Sequence, residues 1–175
     1  MRFMILALSL ALAACATSRP SASAIACPAE RAVYTLRGEP GAQMRFMRTP
    51  HALNAYSDLA ARVDFESDVY WFAFNSSLGY SRDYIGRIQD PFFAAAEDDA
   101  GEDAGEIREE PDFASSELIS FDADYNVIAA VPRSGEPAPQ HLAATGVGSS
   151  IWYSLPRRQL PKAVWDLTSC ADAQS

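Results

Sequence analysis

What this 175-residue chain lacks narrows it before any motif is read. Basic side chains are few, 14 against 23 acidic ones for a formal charge of −9, and nowhere do four Lys or Arg residues cluster. A surface this acidic repels phosphate backbones and anionic lipid, which excludes nucleic acid as a partner and positive charge as a means of holding a membrane. Histidine occurs only as His51 and His141, and there is no Cys-x-x-Cys pair, so a metal site of the zinc type has no ligand set and none is assigned. The nucleophile elbow Gly-x-Ser-x-Gly is missing. In Gly146-Val147-Gly148-Ser149-Ser150 the residue two places after either serine is not glycine, so a Ser/His/Asp set built on His141 with Ser149 or Ser150 has no scaffold. Gly38-Glu39-Pro40-Gly41 and Gly146-Val147-Gly148 are too short to cradle a phosphate. There is no internal repeat and no apolar run long enough to cross a bilayer as a helix. No catalytic residue and no cofactor is therefore assigned.

What is present begins at the amino end. Arg2 precedes an apolar run from Phe3 to Ala14, and Leu12-Ala13-Ala14-Cys15-Ala16 follows, the layout of an export leader with small residues at its processing point. Leu12-Ala13-Ala14-Cys15 resembles the lipobox of bacterial lipoproteins. The resemblance covers the leader alone. It implies a signal peptide over 1–14, a diacylglycerol on the Cys15 sulfur, and an acylated amino terminus at that residue. A conventional leader cut after Ala16 is the other reading of the same residues. In the lipoprotein family an aspartate after the cysteine retains the protein in the inner membrane; Ala16 stands here, which implies the outer membrane and its periplasmic face. Removal of 1–14 takes away one basic residue and no acid, so −9 becomes −10. The acyl chains, each buried methylene contributing about 0.8 kcal/mol, then supply the membrane contact.

With Cys15 assigned to acylation, Cys27 and Cys170 remain, one near each end of the folded part. In an oxidising compartment two such thiols are expected to pair, which requires the ends of the domain to lie side by side. Residues 15–26, rich in Ala, Ser and Thr, read as a lipidated tether reaching about 20 Å. Residues 27–170 fit a single domain with a real core, and 171–175 form a short tail.

The patterning of that domain is mainly of period two. Leu59, Ala61, Val63 and Phe65 alternate with Ala60, Arg62, Asp64 and Glu66, a strand with one face buried. After a turn at Ser67-Asp68, Val69 to Phe74 is apolar on both faces and predicts a strand covered on each side. Further strands are predicted over 80–88 and 150–155, and over 163–168, the last carrying Cys170 to the first strand. Hairpins are predicted from 32–37 to 43–48 and from 117–121 to 127–131. Helix is expected only as short pieces, at Thr49 to Tyr56 and Pro91 to Glu97, since eleven prolines are spread along the chain. The fold class is mainly β: a single antiparallel β domain, a sandwich or incomplete barrel, with one or two short helices.

Residues 97–112 carry nine acidic side chains against Arg108 alone and read as a solvated loop. Neither this run nor Asp122-Ala123-Asp124-Tyr125-Asn126 meets the spacing of a calcium loop, since Val127 replaces the required glycine in the second; docking of the acidic run on a basic partner, or on Arg157, Arg158 and Lys162, is a further reading. Aromatic residues crowd 65–93. Most are expected in the core, the functional alternative being a platform of Trp71, Tyr80 or Tyr84 for a glycan or a protein. The reading favoured is a non-catalytic, membrane-anchored envelope lipoprotein with a binding or structural role, whose partner is an envelope protein or glycan. It predicts an exposed apolar or aromatic patch away from the tether. The alternative, a small periplasmic hydrolase or glycan-binding module, predicts a cleft with His51 or His141 beside a carboxylate.

Overall fold

The computed structural model describes residues 24–50, 53–77, 82–92 and 115–172. Cys15 and the leader, most of the tether, His51, Tyr80, Phe93 and the acidic segment 97–112 lie outside the described residues. Within those residues the strands are β1 (Ala32–Leu36), β2 (Glu39–Arg48), β3 (Leu59–Phe65), β4 (Asp68–Ser76), β5 (Asp83–Ile88), β6 (Ser116–Phe121), β7 (Val127–Ile128), β8 (His141–Ala143) and β9 (Val164–Cys170). One α-helix, α1 (Thr145–Trp152), and a 3-10 turn at Ala29–Arg31 complete the described elements.

All pairings are antiparallel, in the order β5-β4-β3-β2-β1-β9-β8-β6-β7, and β5 also pairs with β6. That additional contact, Asp83↔Leu118 to Ile85↔Ser116, turns eight of the strands into a barrel. β7 occupies the rest of the same side of β6, through Ser120↔Ile128 and Phe121↔Val127. The expected mainly β, antiparallel domain is what forms, and of the two architectures left open it is the barrel, closed rather than incomplete. Closure removes the unpaired edges that a sandwich of such short strands would expose.

The alternation in the sequence decides what fills the barrel. Leu59, Ala61, Val63 and Phe65 of β3 are buried inside, as are Ala42, Met44 and Phe46 of β2 and Tyr70, Phe72 and Phe74 of β4. Phe46 bridges Tyr34 and Phe74, with ring centroids 4.9 Å away on either side. Burying each such large apolar side chain contributes roughly 1.5–3 kcal/mol. The outward residues of β4 explain its two apolar faces. Trp71 and Ala73 join Ala60 and Ile88 in a small outer cluster with Met47 and Leu53, and Phe92 lies 5.3 Å from the Trp71 ring. Val69 alone stays open, at the rim.

Several local expectations are corrected. The first hairpin turns at Arg37-Gly38, where Gly38 has φ 82°, and Pro40 and Gly41 are absorbed into β2 at a register irregularity opposite Thr35 and Leu36. The β3–β4 turn is Glu66-Ser67, one residue earlier than predicted. No helix forms in the described part of 49–56. Asn54 instead organises a loop, accepting the N–H groups of Tyr56 and Ser57 and donating to the Phe74 carbonyl at 2.7 Å. Pro91 and Phe92 are helical, and the rest of that predicted turn lies outside the described residues.

The largest correction concerns 150–155, predicted as a strand: Thr145–Trp152 is α1. Val147, Ser150 and Ile151, spaced three and four apart, face the barrel, and the glycines permit the approach. A Cβ on Gly146 would stand 2.0 Å from the Ser116 side chain, and one on Gly148 would stand 3.1 Å from the Leu160 carbonyl.

Antiparallel order gives the barrel two distinct ends. At one lie the start of β1, the end of β9 and the loops after β2, β4 and β7. At the other lie the β1–β2 and β3–β4 turns and α1 with the chain following it. Ala32 is paired with Cys170, and the Cys27–Cys170 disulfide, Cα atoms 5.6 Å apart, fastens the first end across a sequence separation of 143. Cys27→Ser combined with Cys170→Ser should lower the unfolding free energy by about 2–5 kcal/mol, with reductant abolishing the difference from wild type in urea titrations. Gly146→Ala should cost about 1–3 kcal/mol by forcing α1 off β6; an unchanged denaturation midpoint would contradict this packing.

Candidate functional site

Among the described residues, two groups of side chains outside the core stand out for their chemistry. The first is on the outer wall of β1, β9 and β8. Alternation turns Trp165, Leu167 and Leu142 inward and leaves Asp166 and His141 outside, and the register sets His141 opposite Asp166 and Asp166 opposite Thr35. Asp166 accepts hydrogen bonds from Arg37 Nε at 2.9 Å, Arg37 Nη2 at 2.7 Å and His141 Nδ1 at 2.7 Å. An ionised carboxylate only accepts, so Nδ1 of His141 carries the proton. Arg37 also donates to the Tyr125 hydroxyl at 2.7 Å, and the Tyr125 ring stacks on the imidazole with centroids 4.1 Å apart.

Tyr125 reaches that position from the β6–β7 turn, where its φ is 63°. The turn is held by Asp122, whose carboxylate accepts the N–H groups of Asp124 and Asn126 and the Asn126 side-chain amide, each at 2.9 Å. Those bonds hold the Asp122 carboxyl below the usual carboxylate range. They also account for the partial calcium-loop pattern: the acidic spacing builds a turn. Among the described residues no group of three His, Cys, Asp or Glu is arranged to hold a metal ion. For Asp166, partial burial pushes the carboxyl up, and hydrogen bonds and charge from Arg37 and His141 outweigh it, leaving the group below its ordinary value.

Of the catalytic candidates, His51 is outside the described residues, and His141 does lie beside a carboxylate. It is committed to Asp166 and Tyr125 on the outer wall. Ser150 is buried on the inward face of α1, its carbonyl accepting Arg87 Nη1 at 3.3 Å, and His141 is held by Asp166 on the outer wall, so the Ser/His/Asp set is not assembled.

The second group is at the end capped by α1. Arg87 points inward from β5, with its guanidinium 5.3 Å from the Tyr70 ring and Nη1 donating to Ser154 Oγ as well as Ser150, a cation at the C-terminal turn of α1. With Val147, Ser150 and Ile151 turned inward, α1 presents Ser149, Trp152 and Tyr153 outward. Trp152 is 42% exposed, Tyr153 66% and Leu155 91%, and Arg157 lies 5.9 Å over the Trp152 ring. Between these and the returning chain is an open cavity of about 300 Å³ lined by Ser149, Gln159, Leu160 and Lys162 besides the two aromatics.

Comparison with protein-family models, with curated proteins and with solved structures found no match. Among the described residues no helix is long and apolar enough to cross a membrane. The chemistry of the site must be argued from its own residues. Of the three residues of the predicted platform, Tyr80 lies outside the described residues, Trp71 is only 8% exposed and sealed by Phe92, and Tyr84 is half-buried on β5. Among the described residues, two adjacent exposed aromatics stand together at Trp152-Tyr153. Reading that stretch as a strand hid them; the spacing of Val147, Ser150 and Ile151 and the apolar Leu155 immediately before Pro156 were the available signals. Arg158, one of the cations proposed to receive the acidic run, is paired with Glu66 and Asp68 of the β3–β4 hairpin.

Because the folded-state value of Asp166 lies below that of an unfolded aspartate, about 3.9, its contribution to stability is present above that pH and lost as pH falls through the depressed value. Asp166→Asn should therefore destabilise the protein at pH 7, and the gap from wild type should close below about pH 4. Chemical denaturation at several pH values checks this; a gap that stays constant down to pH 2.5 contradicts the assignment.

Proposed function

We propose that this chain is an envelope lipoprotein, anchored by acyl chains on Cys15 at the periplasmic face of the outer membrane, whose β-barrel is a non-catalytic binding module. The single observation that carries the binding role is the exposed surface of Trp152, Tyr153 and Leu155 at the barrel end opposite Cys27. Soluble chains seldom leave Trp, Tyr and Leu together in water without a partner, and Trp, Tyr and Arg dominate the energetics of binding surfaces.

The placement supports the same reading. The tether enters at the disulfide end, and a strand such as β9, seven residues at about 3.3 Å each, separates the two ends by roughly 20 Å. A lipid on Cys15 would thus hold one end near the membrane and leave the aromatic end facing away from it. The lipobox residues support the anchor. A hydrolytic role for His141 is the weaker reading, because Asp166 is shared with Arg37 and the imidazole face is covered by Tyr125. The cluster's work is to pin the β6–β7 turn to β1 and β9.

Mass spectrometry of the purified product should find an acylated Cys15 at the amino terminus, and Cys15→Ser should lack that mass. A photo-crosslinking amino acid in place of Tyr153 should yield discrete adducts in cells, reduced in the Cys15→Ser background. The same group at Ala55, exposed in the loop after β2 at the disulfide end, should give none of these adducts. Equal labelling from both positions would remove the binding role, and an unmodified Cys15 would remove the anchor.

A further inference from the structure

We infer that the cavity beside α1 is a binding site for a saccharide carrying a carboxylate. The inference deepens the binding-module reading and rests on it. Its first support is the pairing of ring faces with polar groups. The indole of Trp152 and the phenol of Tyr153 stand exposed, and between them and the following chain lie the Ser149 hydroxyl, the Gln159 amide and the Lys162 ammonium, all on exposed residues, with Leu160 closing the floor. A sugar ring has the complementary layout: an apolar face of C–H groups that stacks on an aromatic ring, and a rim of hydroxyls that needs donors and acceptors.

The second support is charge. In a chain of net charge −9, Lys162 and Arg157 have no carboxylate partner among the described residues, whereas the neighbouring Arg158 is neutralised by Glu66 and Asp68. Lys162 on the cavity wall and Arg157 over the Trp152 ring, neither with a carboxylate partner among the described residues, suit an anionic ligand, since charge-assisted hydrogen bonds are the strong ones. Arg157 lies over the Trp152 ring, so it also steadies the platform.

Size and surroundings favour a sugar over a peptide. About 300 Å³ is the low end of small-ligand sites, room for roughly one or two sugar rings. Peptides are captured mainly by adding a strand to an open sheet edge or by laying an apolar helix in a groove. The cavity borders α1 and the 159–162 chain, neither of which is a strand. Gly148 shapes it, since a Cβ there would press on the Leu160 carbonyl at 3.1 Å and move that wall away from α1.

The test uses the full-length protein in detergent. It is titrated with a tetrasaccharide containing uronic acid, a neutral tetrasaccharide of the same length, and a glutamate-rich peptide of matching charge. Trp71 and Trp165 are 8% and 1% exposed, so a change in tryptophan emission reports on Trp152. The acidic saccharide should shift the emission saturably and bind at least about tenfold more tightly by calorimetry than either comparator. Lys162→Gln should weaken the acidic saccharide about tenfold and leave the neutral one unchanged, and Trp152→Leu should abolish the heat of binding of both. Both side chains are exposed, and an unchanged thermal midpoint shows that the variants fold. Binding of the peptide alone, no saturable response to any probe, or saccharide binding indifferent to both substitutions overturns the inference. Discrete protein adducts from position 153 together with silent saccharides overturn it while leaving the binding-module reading intact.

Discussion

The pairing of the first strand with the last is the constraint on which everything else in this barrel depends. β1 and β9 are far apart in sequence and meet in antiparallel register, with Ala32 opposite Cys170 and Leu36 opposite Trp165, and the Cys27–Cys170 bond fastens that seam just outside the sheet. Remove the seam and β1 to β5 become a meander with a bare edge at β1. The other half keeps β8 on β9 but leaves β9 itself with a bare edge. The second closure, between β5 and β6, spans only three residue pairs, so the ring is asymmetric in strength. The cross-linked seam holds the shape while the shorter contact completes it.

The same seam explains the polar cluster on the wall. Arg37 follows β1, Asp166 belongs to β9 and His141 to β8, so the three converge only because these strands lie side by side. Stacking Tyr125 on His141 then carries the β6–β7 turn onto the seam. A histidine hydrogen-bonded to an aspartate suggests catalysis when seen in isolation. Here the aspartate is saturated by a bidentate arginine and the imidazole is covered, which is how a structural network is built. The inward-pointing Arg87 has the parallel role at the other end, tying the last turn of α1 to β5.

The legible part of the fold was the part governed by period two. The alternation of Leu59, Ala61, Val63 and Phe65 names the inward face of β3, the doubly apolar 69–74 run names a strand covered on both sides, and the need of two exported thiols to pair brings Cys170 beside the first strand. Errors gathered where a short segment obeys no single period. Thr145 to Trp152 contains two glycines and two serines, poor helix formers, and its aromatic end looks like a strand. It is helical because the open end of the barrel offers Val147 and Ile151 a place to be buried and offers the last carbonyls a guanidinium. Thr49 to Tyr56 failed in the opposite sense: a good start for a helix was overridden by Asn54, which bonds a neighbouring strand instead.

By itself, then, the sequence determined which face of β3 would turn inward, which two cysteines would meet, and the acidic character of the chain. These are local or compositional properties, set by the alternation of side chains along an extended backbone and by the count of charges. Tertiary structure alone decided that the sheet closes, that Trp71 is sealed while Trp152 and Tyr153 are bare, and that His141 meets Asp166 rather than a serine. Each of those outcomes depends on which segments become neighbours across a closed sheet, and strand register, not the residues of any one segment, sets that proximity.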